Sequence, residues 1–117
     1  MHELSIMTGI MEIVREEMRR RSASRLLAIH VRCGELANIV PESLRFAFEA
    51  MRTAEGGDSA VLHLTEEKLE LRCRACGEVF QPADRTDIFG CCPLCGKLAG
   101  FEAVKGDGIF LDRIEIE

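Results

Sequence analysis

The chain has no tryptophan, no tyrosine, only three histidines and no excess of positive charge: 15 Lys and Arg stand against 20 Asp and Glu in 117 residues. A net charge of -5 makes nucleic acid a poor partner, since binding there rests on phosphate neutralisation. No window approaches the roughly 18 uninterrupted apolar residues that a membrane-spanning helix needs. The first residues lack a basic region followed by an apolar run, which predicts no export signal and a cytoplasmic protein. There is no Ser/His/Asp set and no glycine-rich phosphate loop, so a small hydrolase has no support. The length excludes a Rossmann enzyme with a substrate domain and a TIM barrel. What the chain does have is 47% hydrophobic residues, enough for a real core, and six cysteines, which without an export signal point to metal before disulfides.

The pattern predicts an α+β fold: two helices on a small mixed or antiparallel sheet of about three strands, with an inserted four-cysteine zinc-ribbon domain. Residues 3–22 read as a helix with Leu4, Met7, Met11, Val14 and Met18 on one face, widened by Ile6, Ile10 and Ile13. The run Arg19-Arg20-Arg21 closes it and, with Glu12, Glu16 and Glu17 upstream, reads as a solvated face. Residues 25–33 read as a strand burying Leu27, Ile29, Val31 and Cys33. Pro41 opens a second helix with Leu44, Ala47, Phe48 and Met51 inward. Strands follow at 60–66 and 108–117, the last with a slip in its alternation at Asp112-Arg113 that reads as a bulge. His30 and His63 fall opposite their strands' aliphatic residues and read as surface or packing residues. The expected division is a domain of residues 1–70 plus 105–117 and an insert of residues 71–104.

The insert carries the strongest signal. Cys73-Arg-Ala-Cys76-Gly and Cys92-Pro-Leu-Cys95-Gly are two matched knuckles. Each CxxC turn aims two thiolates at one point, and the following glycine lets the backbone bend so that its amides face the sulfurs. Together they predict a closed, structural Zn²⁺ site on Cys73, Cys76, Cys92 and Cys95. With so thin a core, the insert is expected to draw much of its folding free energy from the metal. Disulfides or free thiols are the bland alternative. Cys91 stands beside Cys92 as a spare thiol, and Cys33 reads as core.

The N-terminus offers a second metal chemistry. The large residue at position 2 should keep Met1 in place, so the terminal amine stays one residue from His2. The amine of Met1 and the backbone nitrogen of His2 can close a five-membered chelate ring. That nitrogen and the imidazole of His2 can close a six-membered one. Deprotonated backbone nitrogens suit square-planar Ni²⁺ or Cu²⁺. By itself this pattern is also that of an ordinary frayed terminus.

Met-His-Glu-Leu-Ser at the start, Arg32-Cys-Gly-Glu-Leu-Ala-Asn-Ile-Val-Pro-Glu-Ser-Leu-Arg-Phe-Ala-Phe-Glu49 in the middle, the two knuckles and the Ile-Glu-Ile-Glu end together resemble the HypA/HybF hydrogenase-maturation proteins over nearly the whole chain. The resemblance implies a nickel metallochaperone, not an enzyme. Such a protein would help deliver Ni²⁺ to the large subunit of [NiFe]-hydrogenase with a HypB-type GTPase as partner, and some members serve urease. It implies nickel-binding by His2 and the Met1 terminal amine, with Glu3 as a backbone or orienting contributor, and Zn²⁺ on the four knuckle cysteines. The insert has no histidine to lend to nickel. The rival reading is a zinc-ribbon adaptor that binds protein or nucleic acid without delivering nickel. Its insert offers only Phe80, Phe89 and Phe101 for base stacking, and four thiolates with one Zn²⁺ leave it net negative. An exposed strand edge can pair two copies, so monomer and homodimer are both open.

Overall fold

Helix α1 spans His2–Arg20 and buries Met7, Ile10, Met11, Val14 and Met18. Ile10 thus joins the predicted stripe, whereas Leu4 and Ile13 do not: they are 46% and 56% exposed. At 3.6 residues per turn Ile13 lies about 120° round the helix from Met7, off the buried face. Leu4, in the first turn, lines a surface groove with Phe46, Ala47 and Ala50. The helix ends two residues before the predicted boundary. Ser22 takes a left-handed φ of 55°, the Ala23 amide donates to the Met18 carbonyl at 2.9 Å and the Ser22 amide to Arg19 at 3.3 Å. These bonds satisfy the last carbonyls of the helix and turn the chain away. The basic run is exposed and paired along the helix: Arg19 with Glu16, Arg20 and Arg21 with Glu17.

The structure is a computed structural model that describes residues 2–83, 90–98 and 100–117, with the His2 side chain left out. The terminal amine of Met1 and the ring of Phe89 therefore lie outside the described residues. The chain folds as two compact units, one of residues 1–32, 39–65 and 110–117, the other of residues 33–38 and 66–109.

In the first unit α1 packs against α2, Pro41–Met51. Proline stands in the first turn of α2 as predicted, and Leu44, Ala47 and Phe48 are buried. A short 3-10 turn, Arg52–Glu55, continues from α2. It brings Glu55, 8% exposed, to Arg15 of α1 at 2.8 Å. Arg15→Ala leaves that carboxylate buried without its cation and is expected to cost about 1–3 kcal/mol in urea unfolding. Glu12→Ala, exposed on the same helix, should stay within about 0.5 kcal/mol of the parent.

The first sheet is three-stranded, in the order β2 (Val61–Glu67), β1 (Leu26–Gly34), β6 (Ile109–Ile116). Burial along β1 runs Leu26, Ala28, then Ile29, Val31 and Cys33. The alternation therefore slips at Ala28-Ile29, and Leu27 leaves the buried face predicted for it. On β6 the predicted slip is present. Asp112 reaches Arg32 at 3.1 Å and Arg113 reaches His30 at 3.1 Å, so these consecutive residues share one face. The two slips offset each other. Arg25 and Glu117 exchange backbone hydrogen bonds, and seven residues further along each strand Arg32 lies over the Phe110 ring, 4.6 Å from its centroid. Hydrogen bonds from His30 and then from Arg113 hold the Glu115 carboxyl below the usual carboxylate range.

The second unit contains the antiparallel sheet β4 (Val79–Phe80), β3 (Glu70–Cys73), β5 (Phe101–Lys105). Leu71 stands opposite Phe80 and Ala103, and Cys73 opposite Phe101. Ion pairs join β3 to β5: Arg72 with Glu102 at 3.0 Å and Glu70 with Lys105 at 3.2 Å. The buried set is small. Among the described residues its buried side chains are Leu69, Leu71, Cys33, Cys73 and Cys92, with Phe80 edge-on to Phe101 at 5.2 Å. One close backbone approach is fixed by glycine. Gly106 has a φ of +86°, and a Cβ there would meet Leu69 Cα at 2.5 Å. Gly106→Ala is expected to cost about 2–5 kcal/mol, from the left-handed backbone and the clash together, measurable as a lowered thermal midpoint.

Candidate metal centre

Two turns of the second unit build the cysteine site, and they repeat each other bond for bond. In the first, the Cys73 amide donates to Glu78 at 3.0 Å and the Gly77 amide to the Cys73 carbonyl at 2.9 Å. In the second, the Cys92 amide donates to Lys97 at 3.0 Å and the Gly96 amide to the Cys92 carbonyl at 2.8 Å. Gly77 and Gly96 take φ of +78° and +76°, with open space where a Cβ would go. The left-handed backbone, not crowding, is what calls for glycine in each knuckle. The bend turns amides onto sulfur: Ala75 onto Cys73 at 3.3 Å, Leu94 and Cys95 each onto Cys92 at 3.4 Å.

The four sulfurs converge. Cys73 and Cys95 lie 3.7 Å apart, Cys76 and Cys92 3.8 Å apart, and all four fall within 4.8 Å of one another. A disulfide needs about 2.05 Å, and all the described cysteines are free. A tetrahedron with metal–thiolate bonds of about 2.3 Å has edges of about 3.8 Å. The spacing therefore fits four ligands of one ion and not two crosslinks. Cys92, 2% exposed, belongs to the cluster. Cys91 is exposed and stays outside it, so the structure separates the two adjacent thiols.

The electrostatics point the same way. The Cys76 amide, followed by the Ala75 amide and the thiols of Cys76 and Cys92, pulls the Cys73 thiol down to about 6. The Glu78 amide favours the Cys76 thiolate, but burial and the thiols of Cys73, Cys92 and Cys95 outweigh it, and Cys76 is pushed up to about 12. One thiolate forms readily and the next is opposed by its neighbours, as expected of four sulfurs gathered without a cation between them. Cys33 is a separate case: burial, then Glu66, raises its pKa, in keeping with a core thiol.

A family model described as "Hydrogenase/urease nickel incorporation, metallochaperone, hypA" matches residues 1–116. The chain belongs to the HypA family. It is 37% identical to hydrogenase maturation factor HypA of Lawsonia intracellularis over 118 residues, spanning all of both chains. It is 36% identical to the HypA of Solidesulfovibrio magneticus over 117 residues, again over the full length of each. Two solved structures share the fold. One is the solution structure of the Ni metallochaperone HypA from Helicobacter pylori, with a TM-score of 0.67 and 23% identity over 97% of this chain and 96% of that one. The other is the solution structure of a HypA protein, with a TM-score of 0.73 and 24% identity over 100% and 97%.

Of the nickel residues that the HypA resemblance implies, Met1 and the His2 side chain lie outside the described residues, and Glu3 is half-buried in the first turn of α1. No described helix is long and apolar enough to cross a membrane. A second group is brought together in the first unit: His30 and His63, expected to be surface or packing residues, and Glu115. Strand register assembles it, and no linear motif marks it.

Proposed function

We propose that the chain is a nickel carrier for the maturation of [NiFe]-hydrogenase, binding Ni²⁺ at its N-terminus and holding a structural Zn²⁺ on Cys73, Cys76, Cys92 and Cys95. The observation that carries this reading is the match of residues 1–116 to a family described by nickel incorporation, the Met-His-Glu start included. The donors are the Met1 amine, the backbone nitrogen and imidazole of His2, and Glu3 as a backbone or orienting contributor. Support comes from the position of His2 and Glu3 in the first turn of α1. The first four amides of a helix have no intrahelical partner, so the nitrogens of His2 and Glu3 are available without breaking a helical hydrogen bond. A carrier must release its cargo, and a chain end can be approached from several sides. Protons compete for the amine and imidazole, so nickel affinity falls as pH drops.

The four-thiolate shell has no open position, which suits a structural and not a catalytic ion. The chain is accordingly a delivery factor and not an enzyme. Its partners in this reading are a HypB-type GTPase and the hydrogenase large subunit in the cytoplasm, with urease as a second acceptor, and it works as a monomer or homodimer. Restoration of nickel-loaded hydrogenase in a host lacking its own HypA tests the reading. The untagged chain should restore activity. Failure to do so at normal expression, with zinc bound, would refute nickel delivery.

A further inference from the structure

We propose that His30, His63 and Glu115 form a second metal site, on the face of the first sheet, that takes a tetrahedral divalent ion of the Zn²⁺ class. The three residues sit on three neighbouring strands, His63 on β2, His30 on β1 and Glu115 on β6. Neighbouring strands lie about 4.8 Å apart, so side chains sharing one face of adjacent strands stand at close to ligand spacing. One candidate donor atom from each lies within 4.8 Å of the other two. The slip at Asp112-Arg113 is what makes this so. Without it Ile114, not Glu115, would share the face of His30.

The chemistry of the donors fits. Two imidazole nitrogens and a carboxylate oxygen are borderline ligands, and bonds of about 2.0–2.2 Å suit Zn²⁺ with a fourth position left to water. His30 Nε2 already stands 2.5 Å from Glu115 Oε2. The His63 ring stacks on that of His30, 4.4 Å between centroids and 11° between planes; because imidazole lone pairs lie in the ring plane, His63 has to turn out of this stack to share an ion with His30. His63 is exposed and makes no hydrogen bond among the described residues, so its nitrogens are uncommitted. Arg113 Nη2 stands 3.1 Å from Glu115 Oε2 and 3.1 Å from His30 Nε2. The guanidinium takes the cation's place beside the carboxylate, and at 64% exposed it can swing away when a metal enters. This site draws on none of the N-terminal residues and stands or falls apart from the nickel reading.

The test uses the full-length, untagged protein with its cysteine site already filled by Zn²⁺, in a His2→Ala background. Only the imidazoles of His30 and His63 then remain. Further Zn²⁺ is added and followed by calorimetry and by the imidazole NMR signals. Both rings are expected to shift together on binding about one further ion. His63→Ala and Glu115→Gln are each expected to weaken that binding at least about tenfold, the loss that even an outer-shell partner can cause. Both side chains are partly or wholly exposed, and an unchanged circular dichroism spectrum confirms that each variant folds. Rings that do not respond to the metal, or binding that neither variant weakens, would overturn the site.

Discussion

His2→Ala is expected to abolish nickel binding at the N-terminus while leaving the cysteine site and the fold intact. Acetylation of the Met1 amine is expected to do the same. The two changes attack different donors. The substitution removes the imidazole and with it the six-membered chelate ring. Acetylation converts the terminal amine into an amide, which carries no basic lone pair, and so removes one donor of the five-membered chelate ring. Neither touches the buried stripe of α1, which begins at Met7. Calorimetry with Ni²⁺ on untagged protein measures the effect. A nickel affinity unchanged in either variant would show that the cargo is held elsewhere.

Removing the ion from the cysteine site is expected to unfold the second unit and spare the first. Cys76→Ser or Cys95→Ser should lose the metal, collapse the amide dispersion of residues 70–80 and 101–105, and leave the signals of α1 and α2 in place. The magnitudes decide the direction. Apparent binding free energies for structural Zn²⁺ in small domains are about 10–16 kcal/mol at neutral pH. Among the described residues, the large apolar side chains buried in the second unit are Leu69 and Leu71, each worth about 1.5–3 kcal/mol, and cannot stand in for that. The first unit has its own core in Met7, Met11, Val14, Ile29, Leu44 and Phe48. Cys91→Ser is the control. Its exposed sulfur lies outside the cluster, and the variant should keep both metal and fold. Release of one Zn²⁺ per chain on thiol modification, followed by NMR, reads both outcomes. A metal-free protein with an ordered second unit would refute the structural role.

The elements were legible to the extent that they obey local rules. Pro41 opens α2 because its fixed φ and missing amide suit a first turn. The Met7–Met18 stripe follows from helical periodicity. The paired knuckles follow from chelate geometry plus glycine, and the structure reproduces both turns with the same hydrogen bonds. The β6 slip was also readable, because two polar residues interrupt an otherwise regular alternation of isoleucine and leucine. The β1 slip was not. Ala28 and Ile29 are both apolar and give no sign of which residue leaves the pattern, so Leu27 was assigned the wrong face.

By itself the sequence determined the family, the helices, the strands of the first sheet and the two pairs of cysteines, since each is written within a short span of chain; the short strands β3, β4 and β5 were not legible there. The CxxC-Gly spacing already favoured Cys92 over Cys91, and the tertiary structure sets the Cys92 sulfur 3.8 Å from that of Cys76 and leaves Cys91 outside the cluster. Tertiary structure alone set His30 beside His63 and Glu115. Period-two patterning fixes the face of a residue within its own strand. Only strand order and register, with their compensating slips, fix what stands opposite.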